Sequence, residues 1–154
     1  MSYWLNPMIG SLAARNTVAY LDSNADAPLK LRTLWLSLGW MLVALVIYLS
    51  LRDAPAPLTA SVGDKLPHML AYGALMMWFA NLYSSHGVRC AYAGGFVVLG
   101  IVLEFAQQWT GYRVLELGDM LANGFGVAAG WWLAPPRIPG FLHVAERLLY
   151  PARR

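Results

Sequence analysis

The chain has 154 residues, enough for one domain, and 58% of them are hydrophobic, against roughly 45–50% in ordinary soluble domains. Only 12% are charged, and a soluble globule this small cannot hide so much apolar surface, so the composition points to the bilayer as solvent. The net charge of +3 comes without a dense basic run or a nucleic-acid motif, which argues against a nucleic-acid partner, and the single cysteine, Cys90, excludes an internal disulfide.

In chain order, residues 1–30 read as a cytoplasmic or interfacial segment. They lack the basic start and apolar core of a cleavable signal peptide. Residues 9–21 carry a weak amphipathic pattern, and 22–28 form a polar linker. Four apolar stretches follow, at 34–51, 62–83, 90–109 and 114–134. A span needs about 20 residues at 1.5 Å each. Continuous runs of this kind are helices, not the ten-residue alternations of a membrane barrel. Breaks rich in Pro, Gly and Ser separate them at 52–57, 84–87, 110–113 and 135–136. Short connections imply antiparallel neighbours. The expected fold is therefore all-α, a polytopic four-transmembrane-helix bundle over residues 31–135. Residues 136–154 form a cytoplasmic amphipathic tail. Within it Phe141, Leu142, Ala145, Leu148 and Leu149 share one helical face, with Glu146 and Arg147 elsewhere, so this short helix should lie on the membrane surface.

Orientation follows from the basic residues. Arg15, Lys30, Arg32, Arg89, Arg137, Arg147, Arg153 and Arg154 fall on the side of the termini, and Arg52, Lys65 and Arg113 on the other. The excess places both termini in the cytoplasm.

The ionisable residues inside the spans then all fall in the outer halves, with His68, Glu104 and Asp119 each roughly 7–9 Å from a span end. Spacing sorts them into stripes: Asp64, His68, Tyr72 and Leu75; Gly100, Glu104, Gln107 and Gly111; Asp119, Asn123, Gly126 and Gly130. Steps of three and four keep each set on one helical face, so three helices can line one cleft. Gly126-x-x-x-Gly130 allows close approach of another helix. Intramembrane charge is costly and needs partners or a wet cavity. Asp64, Glu104, Glu116 and Asp119 outweigh Lys65 and Arg113 by two charges when His68 is neutral. A proton, a divalent cation or a cationic ligand would close that gap.

Asp64-Lys65-x-x-His68-x-x-x-Tyr72-x-x-Leu75, Gly100-x-x-x-Glu104-x-x-Gln107, and Arg113 followed by Asp119-x-x-x-Asn123-x-x-Gly126-x-x-x-Gly130 resemble the VanZ-like family. The resemblance covers about residues 63–130. It implies a multi-pass protein of the bacterial cytoplasmic (inner) membrane, in a family named for a member that confers low-level resistance to the glycopeptide teicoplanin. It supplies no reaction.

Each residue also has a plain structural reading. Asp64 caps its helix, with Pro67 tolerated in the first turn. Lys65 snorkels to headgroups. Gln107 and Asn123 are interhelical glue. Glu116 is solvated, Cys90 is an inert packing residue, and Trp35, Tyr48, Tyr83, Trp109 and Trp131 form aromatic belts. Against these stands a site in which Glu104, His68 and Asp119 are acid/base groups or cation ligands, while Asp64, Lys65, Tyr72, Gln107, Arg113 and Asn123 bind the ligand. Its partner is a membrane lipid or a lipid-linked glycan intermediate of the envelope. A divalent metal is compatible with one His and two carboxylates, although no tight pair such as His-x-x-x-His occurs. No Gly-x-Ser-x-Gly nucleophile is present. The alternative is a non-enzymatic protein that holds a lipid or a membrane-protein partner of envelope machinery.

Overall fold

The computed structural model of the chain describes residues 29–52, 62–109 and 116–150, with side chains from 65 onward in the second segment. These residues form five helices and no strand: α1 (Arg32–Leu51), α2 (Val62–Leu82), α3 (His86–Trp109), α4 (Leu117–Leu133) and α5 (Phe141–Leu149). The all-α expectation holds. By length and composition, α1 and α3 are long and apolar enough to cross a membrane. The fourth helix has only 17 residues, about 26 Å.

Contacts fix the directions. The end of α1 meets the end of α3, where Gln107 Nε2 donates to Ser50 O at 2.7 Å. The start of α2 meets the start of α4, where Lys65 reaches Glu116. The helices therefore alternate up and down, with α2 and α4 side by side and parallel. That pair is held at backbone contact. A Cβ on Gly126 would strike the Met69 carbonyl, and one on Gly130 the Gly73 carbonyl. The small-residue motif read from the sequence thus meets α2.

Helix α2 is central. Tyr72, Leu75, Met76, Phe79 and Ala80 are all buried. Phe79 stacks on Tyr92 at 4.5 Å and meets Phe96 at 5.5 Å. This apolar core fills the half of the bundle that lies beyond Tyr72 along α2. Much of the outside is also apolar: Trp40, Met41, Tyr48, Val98, Val102, Phe105, Leu121, Phe125 and Trp132 are all exposed. Patches of this extent suit a lipid surface or a partner far better than water.

Two helix ends are closed by distant residues. The first helix lacks a side-chain N-cap of its own. Glu146 of α5 supplies one, accepting from Lys30 N at 2.8 Å, Leu31 N at 2.7 Å and Trp35 Nε1 at 2.9 Å. A carboxylate there satisfies orphan N–H groups and faces the positive end of the helix. Arg89 closes α2, donating to Ala80 O, Tyr83 O and Pro135 O, each at 2.6 Å.

Several expectations need correction. The second helix begins at Val62, so Asp64 lies inside its first turn rather than at the cap. Pro67 sits one turn deeper than expected, leaving the Gly63 carbonyl without its usual donor. Glu146 is buried instead of lying on the polar face of a free surface helix, because it caps α1. Leu142 also turns inward, while Leu148 and Leu149 stay exposed, so α5 is docked and still presents an apolar edge. Trp35 is tied to Glu146, and Cys90 is exposed.

Burial raises the Glu146 carboxyl, but the donors on Leu31, Lys30 and Trp35, with nearby His143, outweigh it and hold the group below the usual 4.5. A carboxyl lowered on folding stabilises the fold fully above its unfolded value, and that contribution fades as pH falls through the folded value. Glu146→Gln should be less stable than wild type at pH 7 by about 1–3 kcal/mol. Thermal unfolding in detergent should show the gap narrowing as pH drops below about 4.5. A gap that stays constant down to pH 3 would refute the assignment.

Candidate functional site

At the start of α2 and α4 the side chains grade from an open rim to a buried floor. Lys65 and Glu116 form the rim, with an Nζ–Oε2 distance of 2.8 Å and side chains 31% and 39% exposed. Lys65 also reaches Asp119 Oδ1 at 3.3 Å. Its stem lies across Gly118, where a Cβ would meet Lys65 Cε at 2.7 Å, so the missing side chain opens the path to both carboxylates. A rim pair of this exposure contributes little to stability. Its effect is to orient Asp119.

One layer in, His68 Nε2 lies 3.9 Å from Asp119 Oδ2. Glu104 of α3 completes the group, and one ligand atom each from His68, Glu104 and Asp119 lie within 4.8 Å of one another. Glu104 is 4% and Asp119 7% exposed. Three helices thus bring their titratable groups to one level. Among the charged side chains described here, three carboxylates face one ammonium, so two negative charges remain when His68 is neutral.

The floor is polar but enclosed. Tyr72 follows His68 by one turn of α2, and Asn123 follows Asp119 by one turn of α4; each is 2% exposed. The Asn123 amide sits against Gly100, one turn before Glu104, where a Cβ would come within 2.9 Å of Nδ2. Among the described residues, neither the Tyr72 hydroxyl nor Asn123 Oδ1 has a hydrogen-bond partner. Unsatisfied buried oxygens cost free energy unless water or a ligand meets them.

Of the residues the sequence singled out, Glu104, His68 and Asp119 come together, with Lys65 at the rim and Tyr72 and Asn123 beneath. Gln107 is buried and donates to α1 at Ser50. The Asp64 side chain and Arg113 lie outside the described residues. Glu116, read as solvated, has a side chain 39% exposed and is also the nearest partner of Lys65. Its position three residues before Asp119 on an incoming turn was the available signal.

Chemically, the arrangement offers one imidazole and two carboxylates in an enclosed setting beside an ammonium. Such groups can hold a cation, exchange protons with a bound molecule, or do both. Cys90, the chain's only thiol, is near the start of α3, far along that helix from Glu104. No family model, curated protein or solved structure matches the chain.

Proposed function

We propose that this chain is a four-span integral membrane protein of the bacterial cell envelope, of the VanZ-like kind, whose polar site faces the outer leaflet and binds an envelope lipid or lipid-linked glycan intermediate. The observation that carries this reading is the meeting of His68, Glu104 and Asp119 from three helices at one end of an otherwise apolar bundle. Lys65 at the rim suits an anionic headgroup, and the exposed apolar residues beside it suit acyl chains. Glu104, His68 and Asp119 then serve as acid/base groups toward the bound headgroup. Altered handling of such a lipid is also a route to altered glycopeptide susceptibility, teicoplanin included.

A second reading, binding without turnover, is favoured by the position of Cys90 far from the cluster. Glu104→Gln separates the two. It keeps side-chain volume, and it should retain binding of anionic lipid in nanodiscs, which Lys65→Met should weaken by about tenfold or more. Product release by wild type that disappears in Glu104→Gln favours an enzyme. Binding with no product in either form favours a holder. Binding of anionic lipid that Lys65→Met leaves unchanged would remove the site from either reading.

Orientation has its own test. With both termini cytoplasmic, Cys90 is exposed near the cytoplasmic end of α3. A membrane-impermeant maleimide should label it in inverted vesicles and not in intact spheroplasts. The opposite pattern would reverse the topology and turn the site toward the cytoplasm.

A further inference from the structure

We propose that His68, Glu104 and Asp119 bind a divalent transition ion, Zn²⁺ or Mn²⁺, with the Tyr72 hydroxyl and Asn123 Oδ1 as polar partners beneath it. This deepens the reading above in that it places the ion at the same residues, where it would meet a phosphate-bearing headgroup.

The geometry is close to what such an ion needs. Ligand atoms around a tetrahedral ion at about 2.1 Å lie about 3.4 Å apart. His68 Nε2 and Asp119 Oδ2 are 3.9 Å apart, and the full set lies within 4.8 Å. Small side-chain rotations close the difference. The donor set decides the class of ion. An imidazole nitrogen with two carboxylates suits Zn²⁺ or Mn²⁺, whereas Mg²⁺ and Ca²⁺ prefer oxygen alone.

The donors also carry suitable charge. Among the described residues Lys65 pairs with Glu116, while Glu104 and Asp119 bring two carboxylates to the His68 imidazole. The two oxygens of Asp119 divide their roles: Oδ1 faces Lys65 and Oδ2 faces His68. Lys65 thereby orients a ligand without occupying it, as outer partners of metal sites commonly do. Two of the three buried side-chain oxygens without a partner among the described residues lie here, the third being Asn81 Oδ1 near the far end of α2. The Tyr72 hydroxyl and Asn123 Oδ1 are enclosed without a partner, one turn from His68 and from Asp119. A hydrated or directly bound ion supplies what they lack. Three protein ligands leave at least one position open for a phosphate oxygen.

The test uses full-length protein in detergent on a Cys90→Ser background, which removes the only thiol. After incubation with ZnCl2 or MnCl2 and gel filtration, about one ion per chain should remain by elemental analysis. MgCl2 and CaCl2 should leave none. His68→Ala and Glu104→Gln should each weaken binding at least tenfold, roughly the scale of metal-site perturbations. His86→Ala, at an exposed histidine at the far end of α3, should retain the ion. Helicity and elution volume show that each variant is folded, and His68, more exposed than Glu104, keeps one informative variant if Glu104→Gln fails to fold. Absence of retained metal, equal retention of Mg²⁺ or Ca²⁺, or binding indifferent to both His68→Ala and Glu104→Gln would overturn the site. The metal is titrated without lipid, so failure of the lipid reading leaves this result standing. Loss of the metal with lipid binding intact refutes this inference alone.

Discussion

Gly126→Val should abolish the folded bundle, while Gly124→Ala, two residues away on the same helix, should leave it intact or slightly firmer. At Gly126 the first atom of any side chain meets the Met69 carbonyl, and at Gly130 it meets that of Gly73. Those are backbone atoms of a helix, so no rotamer change relieves the clash and α2 and α4 must part. Overpacking where neighbours can adjust costs about 1–3 kcal/mol; here the cost should exceed about 3 kcal/mol. Nothing lies within 4 Å of a Cβ on Gly124. There alanine gains up to about 1 kcal/mol of helix propensity. Thermal unfolding and gel filtration in detergent compare the two. A Gly126→Val protein that elutes and melts like wild type would mean that α2 and α4 are not in backbone contact.

Arg89→Ala should cost about 3–5 kcal/mol, because one guanidinium satisfies three carbonyls. Ala80 O and Tyr83 O belong to the end of α2, and Pro135 O to the connection after α4, so the loss frees two elements at once. Arg89→Lys is the informative control. It preserves the positive charge, which on the proposed topology marks the cytoplasmic side, but cannot reproduce a planar fork with several fixed donors. Arg89→Lys should therefore insert with the same orientation and still unfold at lower temperature, with faster proteolysis near residues 134–140. Stability equal to wild type in Arg89→Lys would reduce Arg89 to a topological charge.

The sequence reading succeeded where the information is local. The helical runs follow from hydrophobic continuity, and the stripes through His68, Glu104 and Asp119 follow from steps of three and four residues. The Gly126–Gly130 pair announced a close neighbour, though not which one. What escaped was pairing across long separations. Glu146 follows the period of a surface helix, and only the distant N–H groups of Lys30 and Leu31 make it a cap. Gln107 shares a stripe with Glu104, yet its amide turns to Ser50 of another helix. Arg89 reads as a basic residue at a span end, and its three carbonyl partners come from two separate segments. Helical period assigns a face. It does not say which of several neighbours that face will meet.

The contact of Met69 and Gly73 with Gly126 and Gly130 also acts as a ruler. Sliding α4 by one turn against α2 would bring Ala122 to the Met69 carbonyl or Ala134 to the Gly73 carbonyl, so this register alone keeps glycine at both. In that register His68 and Asp119 fall level without having to attract each other. The dimensions of the polar group are thus set by residues with no polar atoms in their side chains. Substitutions within the group can then change its chemistry while the frame stays the same, which makes this end of the bundle tolerant of change.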